Sequence, residues 1–455
     1  MDGFYIALFM LISALCAFVE LRKGKPSGGG AAVISSNAFK AFRNNYLVVY
    51  SLMMAGDWLQ GPYVYALYQY YGYDRGAIGK LFIAGFGSSL VFGTLAGTLV
   101  DKHGRKAGGL AYVLTYTASC VTKHWSNYSV LMLGRLLGGV ATSLLFSTFE
   151  AWLVAEHFKR GYEESWLSGT FSKAIFLGNG LVAIASGLVG NFLVDSFAEG
   201  KVAPFDAAIC VMLVGGGIVL LTWTENYGDT SQRKSSIADQ FRGAMATISR
   251  DPKVAYLGAI QPLFEASMYT FVFMWTPAIS PNDEPIPHGV IFAVFMLACM
   301  TGSSITGKLL ESKVPPELFM QPVFAIGAAA LFVPVIISYL APGSSAADAS
   351  GHLTFLGKVQ IVAFLFFEAA VGAFWPSIMK MRSVYVPEES RATIINIFRM
   401  PLNLFVCIVL YNVSLFPVST YLGMCSGFLA LAAFCQAKLY ALVQREGGLP
   451  SYTKL

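Results

Sequence analysis

Apolar runs of about twenty residues, each closed by a short polar stretch, recur thirteen times along this chain. An α-helix rises about 1.5 Å per residue, so a run of about 20 matches the roughly 30 Å hydrocarbon core of a bilayer. The pattern predicts membrane-spanning helices over 4–21, 46–69, 79–100, 107–122, 129–155, 165–194, 205–223, 254–278, 290–307, 319–340, 358–379, 392–412 and 419–441. The longest stretch without a span, 224–253, is polar and holds Arg233, Lys234, Arg242, Arg250 and Lys253. With the first run set aside as an extra, this stretch divides the other spans into two sets of six. The expected organisation is an extra helix and basic linker over 1–45, a six-helix bundle over 46–223, a cytoplasmic segment over 224–253, a second bundle over 254–441 and a cytoplasmic tail over 442–455.

Composition removes the soluble alternative. Of the 455 residues 55% are hydrophobic and only 13% charged, with a mean hydropathy of +0.59. A soluble domain carries about 25% charged residues, and so few charges cannot cover a water-exposed surface of this size. The seven cysteines, Cys16, Cys120, Cys210, Cys299, Cys407, Cys425 and Cys435, all fall inside apolar blocks without metal-type spacing, as small packing residues do. His103, His124, His157, His288 and His352 lie in or beside predicted loops and form no metal motif. The chain has no nucleophile elbow and no phosphate-binding loop, so neither an enzyme nor a cofactor is expected. A nucleic-acid partner is not expected either.

Charge then sets the orientation. Positive loops stay on the cytoplasmic side. With 224–253 taken as cytoplasmic and the sides alternated outward, 23 of the 31 Lys and Arg residues fall inside. Five fall outside (Arg75, Lys80, Lys123, Lys201 and Lys358), and Arg135, Lys173 and Arg399 lie within spans. The first run is preceded by Met-Asp-Gly and followed by Arg22, Lys23 and Lys25, the reverse of a cleaved signal, so the N-terminus is expected outside and the C-terminus in the cytoplasm. Pro26 to Gly30 reads as a flexible linker. Two outer sequons, Asn127-Tyr128-Ser129 and Asn412-Val413-Ser414, hug the membrane and read as chance matches.

Between the third and fourth spans stands Gly97-Thr98-Leu99-Val100-Asp101-Lys102-His103-Gly104-Arg105-Lys106. It resembles the major facilitator signature G-x-L-x-D-x-x-G-R-[KR], in its expected place after the second helix of a six-helix half. In that reading Gly97, Asp101, Gly104, Arg105 and Lys106 form a gating turn, with Asp101 pairing basic groups and a helix N-terminus. Gly302 to Lys313, the equivalent place in the second half, lacks the full pattern, while Leu133-Gly134-Arg135-Leu136-Leu137-Gly138-Gly139 is similar to the family's fourth-helix motif. The resemblance implies an all-α membrane fold of two pseudo-symmetric six-helix bundles, plus here the extra N-terminal helix.

Numbered in that fold, Asp57 lies on helix 1, Glu150 on helix 4, Glu265 on helix 7 and Glu368 on helix 10, with Lys173 on helix 5 and Arg399 on helix 11. A charge in mid-membrane costs at least about 2.5–3.5 kcal/mol, so each needs a partner, water or a ligand. Matching depth makes Glu150 with Lys173, and Glu368 with Arg399, expected neighbours. They are either structural ion pairs or, in the functional reading, anion ligands (Arg399 and Lys173, with Arg135 at the outer mouth) beside acidic groups. Asp57 and Glu265 have no basic partner on their symmetry-paired helices and are the better proton carriers. The polar cluster Gly56-Asp57-Trp58-Leu59-Gln60-Gly61-Pro62-Tyr63 offers Trp58, Gln60 and Tyr63 as hydrogen-bonding groups at a proline break, or is simply a packing kink. Gly93/Gly97 and Gly134/Gly138 are spaced for close helix packing.

Several segments together resemble the eukaryotic molybdate-anion transporters of the major facilitator superfamily. They are Asp57-Trp58-Leu59-Gln60 with Pro62-Tyr63, Gly134-Arg135 with Gly138-Gly139, Leu145-Phe146-Ser147 with Phe149-Glu150-Ala151-Trp152, Gln261 with Leu263-Phe264-Glu265, Phe273 with Trp275-Thr276-Pro277, and Phe398-Arg399 with Pro401-Leu402. The resemblance implies import of molybdate, a tetrahedral dianion, by alternating access across what is expected to be the plasma membrane. Tungstate and sulfate share its shape, protons are the expected coupling ion, and a monomer in the lipid bilayer is the expected state. A proton-coupled sugar, polyol or organic-anion symporter stays open as an alternative, as does a non-transporting receptor or scaffold on the same fold.

Overall fold

The structure is a computed structural model that describes residues 3–21, 37–197, 200–228, 237–312, 314–343, 345–348, 350–387 and 391–446. The linker at Pro26 to Gly30, Arg22, Lys23, Lys25, Arg233, Lys234 and the tail from 447 lie outside the described residues. The described residues form helices α1 (Gly3–Leu21), α2 (Asn37–Trp58), α3 (Val64–Tyr70), α4 (Arg75–His103), α5 (Arg105–Val121), α6 (Tyr128–Lys159), α7 (Glu164–Ile175), α8 (Ala183–Ser196), α9 (Ala203–Thr222), α10 (Ile237–Arg250), α11 (Pro252–Ile279), α12 (His288–Glu311), α13 (Pro316–Leu340), α14 (Phe355–Tyr385), α15 (Arg391–Tyr411) and α16 (Val418–Arg445). Among them, nine are long and apolar enough to cross a membrane, α7 and α8 counting as one continuous run from Gly169 to Ser196. Three of the four predicted spans missing from this set have local causes. The first helix of the twelve is interrupted after Trp58, α5 has only 17 residues, and only Ile397–Tyr411 of α15 stands out as apolar.

The described residues fall into two compact units. One holds α2–α9 with the stretch 287–293. The other holds α1, α10, α11 and α13–α16 with the rest of α12, so the extra N-terminal helix groups with the second half of the chain. There Ser304 Oγ donates to the Glu20 carboxylate and Lys358 Nζ sits 5.5 Å above the Phe4 ring.

Within each unit, small residues set the helix spacing, because lipid gives no hydrophobic push between helices and close van der Waals packing must replace it. A Cβ on Gly139 of α6 would fall 1.9 Å from Ser88 Oγ and 2.3 Å from the Gly85 carbonyl of α4. Gly134 meets Thr122 in the same way, whereas Gly93 has only Ser143 at 3.7 Å. In the other unit, a Cβ on Gly302 of α12 would fall 1.9 Å from the Ala369 carbonyl oxygen and one on Gly372 of α14 would fall 1.8 Å from that of Cys299. Aromatic rings fill the wider gaps: Trp152 stacks on Trp223 at 3.6 Å, and Phe264 on Phe374 at 4.0 Å.

Two loop residues differ from expectation. Lys123, predicted in an outer loop, is 1% exposed in a 3₁₀ turn, its Nζ 5.4 Å above the Tyr68 ring, where the π face offsets part of the cost of burying a cation. Asn127 of the first sequon spends its side-chain oxygen as the N-cap of α6, accepting from the Ser129 and Val130 N–H groups.

The turn from α11 to α12 is built around a carboxylate. Burial works against charge at Glu284, but donors from the Asn282 backbone, the Asn282 amide and the Ser345 hydroxyl outweigh it and hold its pKa below the usual carboxylate value. A depressed carboxylate stabilises the fold fully above its ordinary pKa of about 4.3, and that contribution fades as pH falls through the lower folded value. Hydrogen-exchange protection factors across 280–286, corrected for the intrinsic rate at each pH, should therefore stay high at neutral pH and fall on acidification, and Glu284→Gln should remove that pH response. For the helix packing, Gly372→Val should lower stability by about 1–3 kcal/mol or more through overpacking. Gly217→Ala, where nothing lies within 4 Å, should be neutral or stabilising. Thermal melting of the purified protein compares the two, and equal melting would refute the close-packing account.

Candidate functional site

In the unit of α2–α9 the polar cluster is a true helix break. Pro62 has no N–H to donate and its ring excludes a regular helix, so α2 ends at Trp58 and α3 begins at Val64. The turn between them is tight: Gln60 N donates to the Asp57 carbonyl at 3.3 Å, and the Tyr63 and Val64 N–H groups share the Gln60 carbonyl at 3.0 and 3.1 Å. The Gly56 carbonyl, left without its helical donor, takes the Gln60 side-chain amide at 2.8 Å. Trp58 reaches out of the break and donates from Nε1 to the Gly178 carbonyl at 3.0 Å. Gly178 lies in a π-helical stretch, Phe176–Val182, between α7 and α8, where the wider turn leaves carbonyls free. Tyr50 packs against Gly178, at 2.7 Å from where a Cβ would stand. Asn179, beside it, is exposed. The residues sequence reasoning missed here are Gly178 and Asn179; the signal was the Gly-Asn-Gly run inside an otherwise continuous span.

Asp57, half-buried one residue before the break, accepts a hydrogen bond from Tyr116 Oη of α5 at 2.5 Å. Gln60 and Tyr63 are buried, and the Tyr63 ring covers Gly190 of α8. These two are thus structural fillers of the break as much as polar groups.

The expected ion pairs are not formed. Glu150 is exposed on α6 and lines a cavity of about 460 Å³ with Arg105, Phe146 and Ser147. Lys173 is exposed at the end of α7 and lines a separate cavity of about 330 Å³ with Ser172, Phe176 and Leu177. Among the described residues no ion pair joins Glu150 to Lys173, nor Glu368 to Arg399. Glu368 is buried on α14. Arg135 does not present a free guanidinium. It crosses to α4, donates from Nε to the Leu81 carbonyl at 3.2 Å, stacks 4.5 Å from the Phe82 ring and fills the space above Gly85.

The signature turn is stitched from one side. Gly104 takes φ +112°, a conformation that suits glycine, and ends α4. Arg105 donates twice to Asp101 Oδ1, at 2.8 and 2.9 Å. The helix N-terminus of α5, however, is capped not by Asp101 but by Glu225, which takes the Lys106 and Ala107 N–H groups at 2.7 and 3.1 Å. The segment after α9 closes the turn: Gly228 N donates to the Asp101 carbonyl and Arg105 N to the Asn226 carbonyl, both at 2.9 Å, while Lys106 Nζ reaches the Leu220 carbonyl at 2.8 Å. Glu225 escaped sequence reasoning because it is distant in sequence from the turn it caps. Gly97 lies on α4, and its surroundings are outside the described side chains.

In the other unit a polar network crosses three helices. Glu265 of α11 is 1% exposed. The Gln261 amide, one turn earlier, donates to Glu265 Oε1 at 2.7 Å, and Arg382 Nη1 of α14 donates to Gln261 Oε1 at 3.2 Å. Arg399 of α15 is exposed, hydrogen-bonds Tyr269 of α11 and acts electrostatically on Glu265, as Arg382 does. Glu265, expected without a basic partner, is thus acted on electrostatically by two guanidiniums. Arg382 was predicted in a loop, but α14 runs on to Tyr385 and carries it inward. Prolines interrupt the ladders near these groups: Pro262 lies three residues before Glu265 and Pro401 two after Arg399.

Long apolar helices, interrupted at polar residues and carrying buried carboxylates and cations, have the build of a membrane transporter. A family model described as sugar transporters with twelve transmembrane segments matches residues 4–364. The molybdate-anion transporter of Xenopus tropicalis is 34% identical over 97% of this chain and 96% of its own length. Among solved structures, the POT family transporter PepTSo superimposes with a TM-score of 0.68 over 90% of this chain and 99% of its own at 13% identity. The inward-open xylose transporter XylE from E. coli gives 0.63 over 91% and 97% at 14% identity; both likenesses concern the fold. The chain belongs to the family of major facilitator transporters that includes these molybdate-anion transporters, and is a multi-pass integral membrane protein rather than an enzyme.

The cap at the signature turn is testable. Glu225→Ala should cost about 0.5–2 kcal/mol, the usual value of a lost N-cap, read as a lower melting temperature, with Glu225→Gln intermediate. An unshifted melting curve for the alanine variant would remove Glu225 from this role.

Proposed function

We propose that this chain imports molybdate by alternating access with a proton as the coupling ion. The substrate reading is supported by the likeness to relatives named molybdate-anion transporters along nearly the full chain. The observation that carries it is Arg399: an exposed guanidinium on a proline-interrupted helix, held at one side by Tyr269. An arginine fork matches two oxygens of a tetrahedral oxyanion at once. Lys173 is the cation we assign to the same task in its own unit, exposed within a cavity. Asp57 and Glu265, carboxylates whose charge is costly in hydrocarbon, are assigned to the proton.

The proposal includes twelve spans in two bundles with one extra N-terminal span, the N-terminus outside, the C-terminus cytoplasmic, a monomeric state and residence in the plasma membrane. The Lys and Arg asymmetry supports that orientation. Tungstate and sulfate, equal in shape and charge, are the natural competitors. The family's description as sugar transporters keeps a sugar or polyol as the second reading.

Uptake of labelled molybdate into proteoliposomes, with sulfate and a sugar as competitors, separates the two. Saturable uptake blocked by sulfate and unmoved by the sugar is expected. Arg399→Ala should raise KM about 10–100-fold, the loss expected from hydrogen bonds to a charged group worth ~1.5–3 kcal/mol. Normal affinity in that variant would refute the anion assignment. Asp57→Asn should blunt the dependence on an imposed proton gradient, and indifference of uptake both to that substitution and to a collapsed gradient would refute the coupling.

A further inference from the structure

Where α5 turns into α6, a cation is sealed in without an acceptor. Lys123, in the 3₁₀ turn Thr122–His124, is 1% exposed, and among the described residues its Nζ has no hydrogen-bond partner. Tyr68 of α3 is fully buried, and its Oη has none either. The ammonium lies 5.4 Å from the centre of the Tyr68 ring, so the two unfilled donors are neighbours that do not bond each other. Asp206, an acid at the same end of the unit, is already taken by His124 at 2.8 Å. What the ammonium and the phenol both lack is an acceptor.

We propose that Lys123 and Tyr68 form a latent site for a tetrahedral oxyanion, opened when Tyr68 and the turn after α3 shift away from Lys123. The inference rests on the proposed function, which makes this oxyanion the transported one. It gives the anion a first stop at the end of α5 opposite the signature turn, the outer end in the proposed orientation.

Three observations support it. First, the cation is held at a cost that packing alone does not require. An ammonium withdrawn from water needs an opposite charge, and an aromatic face returns only part of that cost. Room for Lys123 comes from Gly134 of α6, where a Cβ would fall 3.2 Å from Nζ and 1.9 Å from Thr122 Oγ1. An apolar side chain would fill the same space without a charge to neutralise. Second, the cover is short and hinged at both ends. α3 has seven residues, Val64–Tyr70, between the Pro62 break and Gly72 at φ +83°. Beyond it, Tyr71 Oη donates to the Lys123 carbonyl at 2.5 Å and Tyr73 Oη to the Ser126 carbonyl. These side-chain bonds part without breaking a helical ladder. Third, the donors suit the ligand. Three ammonium N–H groups and a phenol O–H meet an anion that only accepts, and a lysine on a flexible stem captures as a point charge without the fixed geometry of an arginine fork. Closed, both atoms are walled off, so the anion reaches them only once Tyr68 moves, and a bound anion then favours the open arrangement.

The test is acetylation of the purified full-length protein with a small amine-reactive reagent, read by peptide mass mapping, with the exposed Lys80 as reference. Lys123 should react more slowly than Lys80. Tyr71→Phe, which removes the bond to the Lys123 carbonyl, should speed its reaction about 2–10-fold, the population shift expected from one lost hydrogen bond. Molybdate and sulfate should each protect Lys123 saturably, over the concentrations at which titration calorimetry shows them to bind, and leave Lys80 unchanged. A Lys123 that reacts in neither protein, or reacts without protection by either anion, would overturn the inference. Lys123→Met is a second check. It removes an uncompensated buried charge, so it should melt no lower than wild type while binding molybdate about tenfold more weakly, the loss expected from a hydrogen bond to a charged group. A lower melting temperature with unchanged affinity would make Lys123 a structural cation and overturn the inference. If the wild type binds molybdate while Lys123 is unprotected, this inference alone fails. If it binds neither anion, the transport reading falls and this one with it.

Discussion

Inside a bilayer no water is available to a stray backbone amide or carbonyl, and the helix-1 region shows what that constraint demands. Pro62 interrupts the ladder, and every group it strands must be answered by protein. Gln60 folds back on the Gly56 carbonyl, and Trp58 spans to the Gly178 carbonyl of the π-helical stretch. Two irregular helices thereby satisfy each other. The same bond fixes the level at which Asp57 meets Tyr116. A replacement at Trp58 would therefore disturb two helices rather than one.

The rest of each unit is correspondingly rigid. Gly139 against Gly85, and Gly372 against Cys299, bring backbones too close for any side chain. Glu225 and the segment behind it tie the signature turn to the end of α9. Irregularity marks the helices that carry Asp57, Glu265 and Arg399, each within five residues of a proline. A stiff frame lets those short breaks hold charged groups at defined positions, which a uniformly loose bundle could not.

The fold class was legible in the sequence because bilayer thickness imposes a length on every apolar run, and the cytoplasmic signature has a fixed place. The charge partners were not. Depth along a helix follows from counting residues, but each residue also turns about 100° around the axis, so equal depth does not make Glu150 face Lys173 or Glu368 face Arg399. Arg399 looks instead toward Tyr269 and Glu265. Arg382 was hidden by a different cause: α14 continues past its apolar segment, and a charge near a helix end reads as loop. The π stretch was invisible because one extra residue per turn leaves hydropathy unchanged.

The first helix has a consequence for how the molecule is made. Its Glu20 contact lies 284 residues further along the chain, at Ser304. A ribosome adds about 5–20 residues per second, so α1 enters the membrane roughly 15–60 s before that partner exists. Throughout that interval its carboxylate stands in the growing protein without Ser304. The order of synthesis thus separates the insertion of α1 from the formation of this contact. That contact can form only once the chain has reached α12.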